Sequence, residues 1–174
     1  MRRNNGGFTL IELIVVIVIL GILAVTAAPK FIDLQSDARL ATLNGMKAAI
    51  NSAVSLTYGK SLVLGKEKEK EDSITINGSP VDVCYGYPCA KASKIQEVLD
   101  IGDFKDCTAD DKDKGDWCYK ENASTKSIDI YIANGYTSNS KCYVEYQQAK
   151  KEGTAPKEKI VPPVVKLAPS VKDC

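Results

Sequence analysis

The sequence predicts an α+β protein, in which one long N-terminal helix packs on a small antiparallel sheet. Two patterns support this prediction. Apolar residues recur at helical intervals through the first third of the chain, whereas several later short segments alternate between apolar and polar residues. Within 174 residues, we find no internal repeat and no independent second domain beyond the helix and its sheet.

The composition excludes several classes of function. The net charge is +1, from 23 basic and 22 acidic residues, which gives no electrostatic reason for nucleic acid to be the main partner. The chain contains no histidine, which removes Ser-His-Asp and Cys-His catalysis and the commonest nitrogen ligand of metals. We therefore expect no enzymatic activity, no metal site and no cofactor.

The N-terminus has the pattern of an exported, membrane-inserted chain. Residues 8–28 form a stretch of 21 residues with Glu12 as its one charged residue, long enough to cross about 30 Å of bilayer as a helix. Arg2 and Arg3 precede the stretch, so the N-terminus should stay in the cytoplasm. The helical pattern continues beyond this stretch, unlike that of an ordinary cleaved secretory signal.

The second half of the predicted helix is amphipathic, and we expect its C-terminal part to pack on a sheet of the same subunit. Gly59 is the predicted C-terminal stop. Gly21 and Pro29 should allow bending or local melting between them. The apolar stripe comprises Phe31, Leu34, Leu43, Met46, Ile50 and Val54.

The N-terminal motif adds information that periodicity does not supply. The run Gly6-Gly7-Phe8-Thr9-Leu10-Ile11-Glu12-Leu13, followed by Gly21 and Pro29, resembles the class III signal and N-terminal helix of type IV pilins, particularly the type IVa group. Residues 24–31 and 35–39 most resemble mannose-sensitive haemagglutinin pilins. The resemblance covers the first third strongly and the remainder only in architecture.

The resemblance implies a processing pathway and a set of partners. A prepilin peptidase and N-methyltransferase would cleave after Gly7 and methylate the new amine of Phe8. Residues 1–7 would be the leader, residues 8–29 the transmembrane and filament-core helix, and residues 30–174 the amphipathic half and extracellular domain. The precursor would lie in the inner membrane of a Gram-negative bacterium. Its inner-membrane assembly machinery would then build a helical filament of identical subunits on the cell surface.

Glu12 has a physical role that does not depend on the resemblance. A carboxylate at the bilayer centre costs on the order of 3 kcal/mol, so it needs a partner or a shallow position. Cleavage would create an ammonium at Phe8, and the amine of a neighbouring subunit could pair with Glu12. The alternative is a carboxylate that reaches the membrane surface without any role in assembly.

The exported part should contain a hairpin, a short helix and a meander. The hairpin comprises residues 73–76 and 81–83 around an Asn77-Gly78 turn, and the helix covers residues 92–100 with Ser93 as a possible cap. Residues 117–121, 127–133 and 141–146 should form the meander, with a turn at Asn134-Gly135. We expect the Pro-rich tail from Lys150 to be extended and loop-like, with Ile160, Val161, Val164 and Val165 available to cover the sheet.

Six cysteines in the polar part of the chain indicate three disulfides and an oxidising compartment. They allow fifteen pairings, and sequence alone does not choose among them. Pairing of neighbours along the chain is our working prediction, and a Cys142–Cys174 bridge would resemble the C-terminal disulfide-bounded loop of type IV pilins. Zinc or redox thiols are a weaker alternative, because the spacing of the first two is not CxxC. The cysteines are Cys84, Cys89, Cys107, Cys118, Cys142 and Cys174.

Several functions remain open. The leading hypothesis is the major subunit of a type IV pilus used for adhesion and biofilm formation. The alternatives are a type II secretion pseudopilin, a minor pilin, a DNA-uptake component with basic residues of the tail such as Lys150 and Lys151, and an anchored enzyme. Asp110, Asp111, Asp113 and Asp116 resemble half a calcium loop, although a solvated acidic loop fits them better. The sequence does not identify a host or surface receptor.

Overall fold

The computed structural model of the chain describes residues 8–108, 115–134, 136–137, 140–154 and 157–168, without the side chains of residues 28–33. The chain divides into two compact units, of which the first ends at Ala38 and the second begins at Arg39. The architecture is α+β, as the sequence predicts: the described residues form two helices and ten strands, in sheets of three, five and two strands.

Helix α1 covers Leu10–Val63 and is assigned as helix through both Gly21 and Pro29. The prediction of local melting between these two residues is therefore wrong, whereas a bend there stays a prediction. The physical reason is that one glycine costs only about 1 kcal/mol in a helix interior. A proline removes only one helical hydrogen bond and clashes with one carbonyl, so a long run of helix formers on both sides can keep the helical path.

The end of α1 lies beyond the predicted stop. Gly59 is inside the helix, so the prediction that it terminates α1 is wrong. The chain leaves the helix at Gly65, whose φ of +69° is left-handed. The Gly65 N–H donates to the Leu62 carbonyl at 3.1 Å, and the Lys66 N–H donates to the Ser61 carbonyl at 2.9 Å. This pair of bonds is a Schellman motif, which needs the left-handed residue that Gly65 supplies and Gly59 does not.

The first sheet has three strands, β1 (Asp72–Ile76), β2 (Ser79–Cys84) and β3 (Tyr87–Pro88), in antiparallel order. The predicted hairpin is confirmed: Ile76 pairs with Ser79, so Asn77 and Gly78 form a two-residue loop. Their φ angles of 50° and 85° are those of a type I′ turn. A second two-residue loop, Tyr85-Gly86, joins β2 to β3.

The predicted short helix is α2, Ala92–Leu99. Ser93 lies inside it, and the N-cap is Lys91 without a side-chain cap, so the prediction of a Ser93 cap is wrong. The Glu121 carboxylate, from a distant strand, accepts the Ala92 N–H at 2.7 Å. A carboxylate at this end of a helix satisfies a free N–H and suits the helix dipole, which makes a local cap unnecessary.

The five-stranded sheet has the order β10-β7-β6-β5-β4. The predicted meander is confirmed as the antiparallel strands β5 (Trp117–Asn122), β6 (Ser127–Ile132) and β7 (Tyr143–Gln147). Gly135 of the predicted turn lies outside the described residues. The sequence pattern missed β4 (Phe104–Asp106), which pairs in parallel with β5 at one edge. It is too short to show a period of two.

The Pro-rich tail forms strands, so the prediction that it is loop-like is wrong. β8 (Lys150–Glu152) and β9 (Lys159–Val161) make a two-stranded sheet, and β10 (Val164–Leu167) pairs with β7. Pro162 and Pro163 stand between β9 and β10 and remove no ladder bond. Val165 and Leu167 pack on the core from the sheet's edge rather than over its face.

The core lies between the C-terminal half of α1 and the five-stranded sheet. Leu43, Met46 and Ile50 are buried against Ile130 and Val144, which confirms the predicted packing of this half of the stripe. Leu34 is 61% exposed, so the stripe does not become core before the second unit begins. In that unit, the Tyr146 hydroxyl donates to the buried Pro88 carbonyl at 2.6 Å and joins the two larger sheets.

The disulfides follow the predicted pairing of neighbours as far as the structure describes them. Cys84 is bonded to Cys89, and Cys107 to Cys118. Cys142 is also disulfide-bonded, and no described cysteine is free. Its predicted partner, Cys174, lies outside the described residues, so the Cys142–Cys174 bridge stays a prediction. Because Cys84 to Cys118 are oxidised, they have no thiolates for a zinc or redox site.

Candidate functional site

The candidate functional site is the N-terminal part of α1. The stretch Leu10–Ala27 is long and apolar enough to cross a membrane, and none of it is buried within the chain. Its large apolar side chains, together with Phe8, are between 46% exposed at Ile14 and 92% exposed at Phe8. An uninterrupted apolar surface of this size has to be covered by lipid or by other protein chains.

Glu12 is the one charged residue of this surface. It lies on the same face of α1 as Phe8, Ile11, Val15 and Val16. Its Oε2 accepts the Thr9 backbone N–H at 2.8 Å and the Thr9 hydroxyl at 2.7 Å. Both bonds reach the same carboxylate oxygen, so Oε1 has no hydrogen-bond partner among the residues that the structure describes. The site thus presents one free carboxylate oxygen within an apolar face.

Thr9 is a functional residue that the sequence interpretation missed. It is the residue before the helix, and its hydroxyl also accepts the Glu12 N–H at 3.3 Å. Threonine at the N-cap with glutamate three residues later is a capping box, in which each side chain satisfies a backbone N–H of the other residue. The signal was present as Thr9-Leu10-Ile11-Glu12, but the helix was expected to begin at Phe8.

The processing residues are placed only in part. Phe8 precedes the helix and is almost fully exposed, whereas Gly7 and the rest of the leader lie outside the described residues. Cleavage after Gly7 and methylation of Phe8 therefore stay predictions. The accessible position of Phe8 at the beginning of α1 is compatible with an enzyme that acts on its backbone.

The other sites that the sequence suggested, a calcium loop and a DNA-binding tail, have less support in the structure. Asp110, Asp111 and Asp113 of the possible calcium loop lie outside the described residues, and the described part of the chain contains no group of three metal-binding side chains. Lys150 and Lys151 of the possible DNA-binding tail form ion pairs with Glu152 and Glu158, so their charge is offset locally.

Two features define a class of membrane-inserted subunits. The chain has an exposed apolar helix with a carboxylate in its first turn, and a disulfide-bonded α+β unit follows along the sequence. The prokaryotic N-terminal methylation motif matches residues 2–28. The chain is also similar to the type IV major pilin protein PilE1 of Neisseria gonorrhoeae, with 31% identity over 72% of this chain and 76% of that protein. The chain belongs to the type IV pilin family.

Two further relatives match smaller parts of the chain. The type IV narrow pilus major component PilA5 of Thermus thermophilus is 50% identical over 29% of this chain, and the type IV major pilin protein PilA of Myxococcus xanthus is 34% identical over 58%. The chain spans less than half the length of these two relatives, 43% and 44%. No solved structure matches the chain. None of these names denotes a mannose-sensitive haemagglutinin pilin, so that finer resemblance stays a prediction.

Proposed function

We propose that the chain is the major structural subunit of a type IV pilus that serves adhesion and biofilm formation. Prepilin peptidase removes residues 1–7 and methylates Phe8, and the inner-membrane machinery then moves the subunit from the membrane into an extracellular filament. The observation that carries this proposal is the exposed apolar stretch Leu10–Ala27 of α1 in a chain of the type IV pilin family. Lipid covers this surface in the precursor, and helices of other copies cover it in the filament.

Within this proposal, Glu12 is the assembly residue. Its Oε1 accepts the ammonium of Phe8 from a neighbouring copy, while Oε2 keeps its bonds to Thr9. The pairing neutralises two charges that would otherwise be unpaired inside the apolar helix bundle. A Glu12→Gln variant keeps a hydrogen-bond acceptor for Thr9 but has no charge for the amine.

The test for Glu12 compares filament yield among three chains. We expect Glu12→Gln to be processed at Gly7 but to give few filaments, whereas Thr9→Ser, which retains the capping hydroxyl, should assemble like the wild type. Filaments are counted by electron microscopy and in material sheared from cells. Long, stable filaments of the Glu12→Gln variant would disprove the charge pairing.

The test of the whole proposal is the intact mass of the chain in the sheared fraction and in the envelope. We expect the sheared fraction to be dominated by a chain that begins at methylated Phe8 and is six protons lighter than its reduced form. Restriction of the processed chain to the envelope would favour a second candidate, a pseudopilin. The similarity to the type II secretion system core protein G of Pseudomonas aeruginosa, 42% identity over 32% of this chain, favours that candidate next.

A further inference from the structure

A polar groove crosses the second unit between two turns and the beginning of the tail. It consists of two adjoining cavities of about 240 and 250 Å³, which share Glu71, Lys126 and Gln148. Each is slightly smaller than the roughly 300 Å³ of a small-molecule site, and together they fall within the usual range. The groove lies entirely within the unit that begins at Arg39.

The walls of the groove are held by bonds between distant segments. The Cys84–Cys89 disulfide closes the turn that carries Tyr85, and the Tyr85 N–H donates to the Glu69 carbonyl at 2.9 Å. On the opposite wall, the Gln148 N–H donates to the Lys126 carbonyl at 3.0 Å, and Gln148 Oε1 accepts the Ala90 N–H at 3.1 Å. The groove therefore exists before any ligand arrives, which reduces the entropy lost on binding.

Two residues that line the groove, Tyr85 and Lys126, have a left-handed backbone conformation. Of the four described non-glycine residues with left-handed φ, Asn77 forms a hairpin turn and Asp100 caps a helix, which are ordinary places for such residues. The other two, Tyr85 at 54° and Lys126 at 50°, both line the groove. A bulky residue such as tyrosine rarely adopts a left-handed backbone conformation, and glycine or asparagine would fit the turn better. The side chains of Tyr85 and Lys126 therefore lower the stability of the fold somewhat.

The side chains of the groove suit an acidic sugar. Lys150 and Lys151 are already in ion pairs with glutamates, but Lys70 and Lys126 have no ion pair among the described residues. Tyr85 supplies an aromatic ring, and Gln147, Ser124 and Thr125 supply neutral donors and acceptors. An aromatic face packs on the C–H face of a sugar ring, amides and hydroxyls bind its hydroxyls, and free lysines bind its carboxylate.

We propose that this groove binds an acidic polysaccharide, with a uronate carboxylate between Lys70 and Lys126 and a sugar ring against Tyr85. The proposal goes beyond filament assembly and does not depend on it, since unassembled chain should bind as well. DNA would meet the same lysines, but the described lining of the groove contains a single aromatic ring, Tyr85, on which bases could stack.

The first experiment measures binding of short oligogalacturonides to the full chain in nonionic detergent micelles by calorimetry. Lys70→Gln and Lys126→Asn should each raise Kd about tenfold, because each removes a charged hydrogen bond. Asparagine is chosen for position 126 because it tolerates the left-handed backbone. The control is Lys60→Gln, an exposed lysine in the last turn of α1, which should leave Kd unchanged. Neutral maltooligosaccharides of the same length should not bind.

A second variant distinguishes binding from structure. Tyr85→Asn should raise the melting temperature, since asparagine relieves the strain, and should raise Kd for the oligogalacturonide at least about tenfold. If Tyr85 had only a structural role, the higher melting temperature would not be accompanied by weaker binding of the oligogalacturonide. The proposal is overturned if the Lys70, Lys126 and Tyr85 variants all bind like the wild type. It is also overturned if Lys60→Gln weakens binding equally, or if single-stranded DNA of matched charge binds more tightly and displaces the sugar.

Discussion

Among single residues, Asp129 shows how a buried charge is tolerated in this small sheet. It lies on β6 with 9% of its surface exposed, and it pairs across the strands with Lys120 on one side and Glu145 on the other. Burial raises the pKa of its carboxyl, and the Glu145 charge raises it further. The hydrogen bond from Asn122 at 3.1 Å and the charge of Lys120 only partly offset these two effects. The ionised carboxylate therefore weakens the fold.

This environment predicts a specific dependence of stability on pH. Because the folded-state pKa of Asp129 lies above the unfolded value near 3.8, the folded state favours the protonated carboxyl, and stability falls as pH rises through this interval. Asp129→Asn should therefore raise the melting temperature by a few degrees at pH 7 and by nothing near pH 3. Thermal denaturation at both pH values measures the difference.

The control for Asp129 is Asp116→Asn, at an exposed position of the same unit, where we expect little change at either pH. A gain for Asp129→Asn that is equal at pH 3 and pH 7 would show that side-chain packing, and not the charge, is responsible. A loss at both would show that the carboxyl group makes favourable contacts that the amide does not replace.

At the scale of elements, the end of α1 illustrates why boundaries are harder to predict than helices. Gly59 and Gly65 both qualify as stops by residue type. Thr57 and Ser61, near the end of α1, are fully buried within the second unit, so the helix continues past the first glycine. Tertiary burial thus selects the second glycine, at which left-handed backbone is required.

Substitution of the two glycines should have opposite effects. Gly65→Ala places a Cβ on a residue with φ of +69° and should destabilise the chain by about 1 kcal/mol, although no atom lies near the new methyl group. Gly59→Ala, with the same open surroundings, should stabilise it by about 0.5 to 1 kcal/mol, because alanine has the better helix propensity. Chemical denaturation of both variants gives the two free energies. Equal effects would contradict the assignment of Gly65 as the helix cap.

The tail is the second element whose position depends on tertiary contacts. β10 occupies the edge of the five-stranded sheet beside β7. The disulfide-bonded Cys142 directly precedes β7, and Cys174 follows β10 along the chain. A bridge between these cysteines would close a longer loop than the Cys84–Cys89 bridge. On the loop-entropy estimate, the two bridges contribute about 4 and about 2 kcal/mol.

Removal of the Cys142–Cys174 bridge should therefore lower the stability more than removal of the Cys84–Cys89 bridge. We expect a Cys142→Ser and Cys174→Ser double variant to lose more stability than a Cys84→Ser and Cys89→Ser double variant, and to be cut by protease within the tail. Limited proteolysis with mass analysis locates the cut. Unchanged protease resistance of the first double variant would mean that β10 is held by its strand pairing alone.

At the scale of the whole molecule, the chain combines a unit that cannot cover its own apolar surface with one that can. The first unit ends at Ala38, and Leu43, in the second unit, is the first fully buried apolar side chain among those that the structure describes. The second unit contains all three described hydrophobic clusters and both fully described disulfides. We infer that it is the part of the chain that folds cooperatively in water.

A fragment of residues 39–174 should accordingly be soluble, monomeric and cooperatively folded under oxidising conditions. Circular dichroism during heating should show one transition, and sedimentation should show the mass of a single chain. A matched fragment that begins at Leu10 should require detergent, because it retains the exposed apolar half of α1. A broad, non-cooperative transition of the shorter fragment would show that the first unit contributes to folding.

The sequence was sufficient wherever local periodicity carried the information. It located the membrane-length helix, the hairpin around Asn77-Gly78, the second helix and the three meander strands, because each has a repeated apolar pattern or a turn with a known backbone requirement. Glu12, the residue we propose for assembly, was equally evident, since a lone carboxylate in an apolar stretch is a conspicuous exception. Its partner Thr9 was missed because the helix start was placed two residues early.

Long-range contacts decided the rest. The cap of α2 comes from Glu121 on a distant strand, β4 joins the sheet through a parallel pairing, and β10 of the tail becomes a strand because β7 offers an open edge. The groove around Tyr85 and Lys126 likewise brings together segments more than forty residues apart. Local sequence determined which segments are helix or strand and which surface must meet lipid or other subunits. Tertiary structure decided how α2 is capped, which strands lie at the sheet edges and where the groove forms, because these features depend on partners that are distant along the chain.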